Sequence, residues 1–153
     1  MTFVDIIPLE SAGQIKLGMA KSEVLNAIGH PKTSANGKNN YQFNDIFFSV
    51  FYDKGENVNY IEYSEYDDKA KILVYGIDVF KTPASDLIDQ IVKQTGHQFD
   101  PDEKEIPYCY IFPELELSFW RPVFPEDEHD EDGKYFITVG IGTKGYYTDK
   151  LQI

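Results

Sequence analysis

Three histidines and one cysteine are the residues of this chain that can serve as a base near neutral pH or as a thiolate nucleophile. His30 and His97 follow helix-forming stretches, and His129 stands inside the densest charge run, Glu126-Asp127-Glu128-His129-Asp130-Glu131-Asp132-Gly133. No two histidines have the i, i+4 spacing that sets two imidazoles on one helix face around a metal. Cys109 lies between Tyr108 and Tyr110 in a strand-like segment, where a thiol packs as a small hydrophobe. Only a histidine brought to it in space would make it a nucleophile, since such pairs need not be local in sequence. A lone cysteine also excludes an intramolecular disulfide and a cysteine-rich metal site. The acidic run half fits a calcium loop: Glu128, Asp130 and Asp132 alternate and Gly133 follows. The position that needs a bidentate Glu is Val139, however, and strand character follows where a helix is required. Gly140-Ile141-Gly142-Thr143-Lys144-Gly145 lacks phosphate-loop spacing and reads as a turn. These residues predict no enzyme, no metal and no cofactor.

Charge points the same way. The chain of 153 residues carries 26 Asp and Glu against 14 Lys and Arg, a net charge of −12. Such a surface repels phosphate backbones, which disfavours nucleic acid, and draws in a basic protein. Acidity also serves plain solubility. No apolar stretch approaches the ~20 residues needed to span a bilayer. Met1-Thr2-Phe3-Val4-Asp5 lacks the basic start of a secretion signal. A cytoplasmic protein without a membrane partner is expected.

The rest of the chain supplies the scaffold. With 11 Phe, 11 Tyr and one Trp, composition favours pleated, half-buried surfaces. Val24, Leu25 and Ile28 form one apolar stripe of a helix from Lys21 to Ile28, which Gly29 ends and Pro31 forbids from continuing. A second helix is predicted with Thr82 as N-cap, Pro83 at its first position, a stripe of Leu87, Ile88, Ile91 and Val92, and Gly96 as its stop. After each helix comes a hairpin-like segment, and 41–51 can be laid on 110–120 with Tyr, Phe and Ser recurring in place. A third strand follows in each half, Val58–Ser64 and 135–141. The expectation is therefore a single domain, 1–153, with internal repeats at about 13–66 and 76–148. Its fold class is α+β: two tandem helix-strand-strand-strand repeats forming one antiparallel sheet of about six strands, helices on one face. Phe47 to Tyr52 is apolar on both alternating faces, which predicts either a strand buried on both sides or an aromatic face left for a partner.

Two stretches carry a resemblance. Ile15-Lys16-Leu17-Gly18-Met19-Ala20-Lys21-Ser22-Glu23-Val24, with Ile28-Gly29-His30-Pro31, resembles a motif of small duplicated α+β proteins of the β-lactamase-inhibitor-protein-like fold and of related outer-membrane lipoproteins. The lipoprotein cysteine and signal do not appear, which sets the second branch aside. Phe112-Pro113-Glu114-Leu115, Ser118 through Val123, Val139 through Gly142 and Gly145-Tyr146-Tyr147 resemble small acidic bacterial immunity-type proteins. The resemblance implies a cytoplasmic inhibitor that neutralises a cognate basic toxin domain, a nuclease for example, by covering its active site. On this reading Glu126, Asp127, Glu128, Asp130, Glu131 and Asp132 steer the partner, and Tyr63, Tyr66 and Trp120 anchor it. The alternative is a small-ligand or cation-binding domain with its cavity between sheet and helices, and a third reading is a hydrolase built on Cys109 or a histidine.

Overall fold

Alternation along the central strands sets the architecture. β6 (Ile46–Tyr52) sends Phe48 and Val50 to the core and Phe47, Ser49 and Phe51 to the opposite face. β7 (Val58–Ser64) pairs with it antiparallel, Val50 opposite Ile61, with a bulge between Phe51 and Tyr52. The computed structural model describes residues 1–65 and 69–147. In chain order its elements are β1 (Thr2–Ile7), β2 (Ser11–Ala12), β3 (Ile15–Lys16), α1 (Lys21–Ile28), β4 (Thr33–Ala35), β5 (Lys38–Phe43), β6, β7, β8 (Ala70–Val74), β9 (Ile77–Asp78), α2 (Ala84–Thr95), β10 (Cys109–Phe112), β11 (Leu117–Trp120) and β12 (Thr138–Gly142).

The expected fold, two tandem helix-strand-strand-strand repeats making one sheet of about six strands, is overturned: the described residues form twelve strands and two helices. The described strands form two sheets, one of seven in the order β10-β11-β12-β7-β6-β5-β4 and one of five in the order β3-β2-β1-β8-β9. The seven-stranded sheet is antiparallel throughout: β5, β6, β10 and β11 come from the two hairpin segments, β7 and β12 from the strands that follow them, and β4 is added at the edge. The second sheet hinges on β1 lying parallel to β8, Val4 beside Ile72 and Ile6 beside Val74. That pairing joins residues some 68 positions apart, and its other strands are two residues long, too short for a periodicity to be read.

Local chemistry accounts for the turns. Asn36-Gly37, Asn44-Asp45 and Tyr75-Gly76 each place two successive residues at positive φ, the twist that a two-residue hairpin requires. α1 has the boundaries its stripe predicts. α2 starts one residue later than expected: Pro83, not Thr82, is its N-cap, without a side-chain hydrogen bond, and Gly96 ends it left-handed at φ 74°. Val24 from α1 and Leu87, Ile88 and Ile91 from α2 share one core with the inner residues of both sheets. Burying each such side chain contributes about 1.5–3 kcal/mol.

Candidate protein-interaction surface

The outer face of the seven-stranded sheet is in part covered by the chain itself. Tyr60 of β7 lies across Gly140 of β12, where a Cβ would come within 1.8 Å of the tyrosine hydroxyl, so this position admits only glycine without repacking. Tyr146 stacks on Tyr60 with ring centroids 4.6 Å apart. The Tyr147 hydroxyl donates to that of Tyr60 at 2.9 Å, and both meet Ser118. Glu116, 3% exposed, holds this cover down: its carboxylate accepts the N–H groups of Gly145 (2.8 Å) and Tyr147 (2.9 Å). Burial and the neighbouring Tyr60 raise the Tyr147 hydroxyl far above its ordinary pKa, and burial lifts Tyr60 to about 12. The aromatic excess of β6 and β7 thus serves internal packing over much of this face, and Phe47 remains 48% exposed.

The exposed large apolar side chains gather elsewhere. Met1, Phe3, Ile7 and Leu9 fall in the first nine residues, and Tyr108, Trp120, Val123 and Phe124 fall where β10 begins and β11 ends. In the second group Cys109 pairs with Trp120, and the Arg121 amide donates to the Tyr108 carbonyl at 2.9 Å, so the strand ends are clamped together. Tyr108 and Phe124 meet edge to face at 5.2 Å. With Val123 they wall an open groove of about 420 Å³ whose remaining lining is Glu126, Asp130, Asp132 and Gly133.

The acidic run is an ordered turn. Asp130 accepts the Glu126 amide through Oδ2 at 3.0 Å and the Asp132 amide through Oδ1 at 2.9 Å, and Asp127 accepts the His129 amide at 2.9 Å. Those two amide hydrogen bonds hold the Asp130 carboxyl below the ordinary carboxylate range. Gly133 has φ 74°, and a Cβ there would lie 2.3 Å from the Val123 carbonyl oxygen, which is how closely the two ends of the loop cross. Arg121, 8% exposed, pins the crossing: Nε donates to the Pro107 carbonyl and Nη1 to that of Gly133, both at 2.9 Å, with the guanidinium over Phe136.

The predicted site residues divide accordingly. Glu126, Asp127, Glu128, Glu131 and Asp132 are exposed and Asp130 half-buried, all in one loop beside the aromatic groove. Two of them are engaged in pairs, Glu128 with His129 (3.7 Å) and Glu131 with Lys134 (3.4 Å). Trp120 is 39% exposed at the end of β11 and does not line the groove. Tyr63 is corrected: at 3% exposure it stacks on Phe48 in the core, because it shares the inward parity of Ile61 on β7, and it cannot touch a partner. Tyr66 lies outside the described residues. Sequence reasoning missed Tyr108, Val123 and Phe124, although Arg121-Pro122-Val123-Phe124-Pro125 is an apolar segment that two prolines keep out of a sheet interior.

His97 pairs with Glu114. Cys109 is pushed up to about 11, first by burial and then by Glu103 and Glu105, the wrong direction for a nucleophile. Among the described residues no three His, Cys, Asp or Glu side chains are grouped to hold a metal ion. A cavity between the sheets, lined by Val4, Gly13, Ile28, Phe48 and Tyr63 among others, measures about 70 Å³. Small-molecule sites run to roughly 300–1,000 Å³. No helix among the described residues is long and apolar enough to cross a membrane. Comparison of the chain with family models, curated proteins and solved structures finds no match.

Proposed function

We propose that this chain is an immunity-type inhibitor that binds a basic protein toxin domain through the Tyr108–Phe124 groove and its acidic rim. One observation carries the reading: the aromatic walls of Tyr108 and Phe124 open to solvent directly beside Glu126, Asp130 and Asp132. Exposed aromatics provide contact area, and carboxylates at their edge select a cationic surface. A guanidinium or ammonium group meets both chemistries in such a groove, the ring faces and the charge. Arg121 and Asp130 hold the rim in shape before any partner arrives, which lowers the ordering cost of binding.

Co-expression with the product of the adjacent reading frame tests the proposal. The expected outcome is a toxic neighbour that co-purifies with this chain and is neutralised by it. Phe124→Asp together with Asp132→Lys then abolishes co-purification while the chain stays folded. A neighbour that is harmless alone and elutes separately removes the support.

A further inference from the structure

The exposed apolar residues of the first nine positions lie on a face of different electrostatics. In β1 the odd positions Phe3, Asp5 and Ile7 point away from the core into which Val4 and Ile6 are buried. Phe3 is 60% and Ile7 45% exposed, so the middle strand of the five-stranded sheet presents apolar side chains to solvent. The cross-strand register completes the face: Ser11 and Lys16 line up with Ile7, Lys71 stands opposite Phe3, and Leu73 and Asp78 line up with Asp5. Among the described residues that this register aligns, the charged ones are Lys16, Lys71, Asp5 and Asp78. On a chain of net charge −12, this face is balanced.

We propose that the outer face of the five-stranded sheet is a self-association surface that takes a second copy of this chain. Charge decides the occupant. Copies of a molecule this acidic repel one another through most of their surface, and a strongly basic partner is drawn to the acidic rim rather than to a neutral face. A balanced apolar face is where two copies meet with the least local repulsion, the remainder being screened by salt. A twofold axis makes such a face self-complementary, so Lys71 of one copy can meet Asp5 of the other while Phe3 and Ile7 pack across the axis. A solvent-facing strand ordinarily alternates with polar residues, and two large hydrophobes here call for cover. This surface is separate from the acidic groove, so the inference stands whether or not that groove binds a toxin.

Sedimentation equilibrium on the full chain over a concentration series is the test. The expected result is a monomer–dimer equilibrium. Phe3→Glu weakens it by about tenfold or more, while the melting temperature at concentrations where the chain is monomeric stays unchanged, because the ring is exposed in the single chain. Asp5→Lys and Lys71→Asp each weaken the dimer by roughly two- to fivefold, and the double reversal restores it. Ile7→Lys serves as an independent disruption of the same face. A chain that stays monomeric up to about 1 mM, or a dimer indifferent to both Phe3→Glu and Ile7→Lys, overturns the proposal.

Discussion

At the scale of the residue, Arg121 has the largest structural duty near the candidate surface. Its fork joins the carbonyls of Pro107 and Gly133, so one buried cation ties the approach to β10 to the end of the acidic loop. Arg121→Ala leaves both carbonyls without that donor and is expected to cost about 3 kcal/mol in urea unfolding. Arg121→Lys recovers less than half of this, since an ammonium cannot reproduce the fork. Cys109 and Tyr60 set the alkaline limit. Burial raises Cys109 from 9.0 to about 11 and Tyr60 from 10.0 to about 12. A raised acid favours the protonated native state, so this contribution is complete below about pH 9 and is lost as pH climbs through 11 and 12. Stability measured against pH is expected to fall across that window, and iodoacetamide is expected to label Cys109 slowly at neutral pH, with a rate that rises toward pH 11. The strand position of Cys109 was legible in the sequence. The raised thiol was not, because it comes from burial against the cluster of Tyr60, Ile111 and Tyr147 and from Glu103 and Glu105, which precede the strand.

At the scale of the element, the acidic loop is a turn organised by Asp130. Asp130→Ala removes the acceptor for two amides and is expected to speed hydrogen exchange at Glu126 and Asp132 while leaving the melting temperature almost unchanged. Its carboxyl is held below the ordinary range, so the ordering it provides is present above that range and lost as pH falls through the lowered value. Amide chemical shifts followed through an acid titration check this. Much at this scale could be read in advance. α1 and β7 have the bounds that periodicity and Gly29 predict, and Gly96 ends α2. Thr82 failed as a cap because Pro83 itself takes the extended cap conformation, at φ −51° and ψ 140°. The strands of the second sheet were hidden for another reason. β2, β3 and β9 are two residues each, and nothing in so short a segment distinguishes strand from turn.

At the scale of the whole molecule, the exposed apolar side chains fall into two groups, one beside the acidic loop and one in the first nine residues. Association of a basic partner with the acidic rim is expected to slow as ionic strength rises and the long-range attraction is screened, which stopped-flow measurements over a salt series would read. Composition alone established the net charge of −12, the lone unpaired cysteine and the wealth of aromatics for strands, since these are sums over residues and independent of placement. Hairpins with Asn-Gly or Asn-Asp turns are equally local, because two residues at positive φ set the pairing that follows. Parallel pairing of β1 with β8 is not local, and with it came the second sheet. Which tyrosines stay at the surface was likewise a matter of assembly. Tyr63 and Trp120 are similar in sequence terms, yet inward parity on β7 buries one and outward parity at the end of β11 leaves the other 39% exposed. Burial depends on what packs against a strand, and only the folded chain brings those neighbours together.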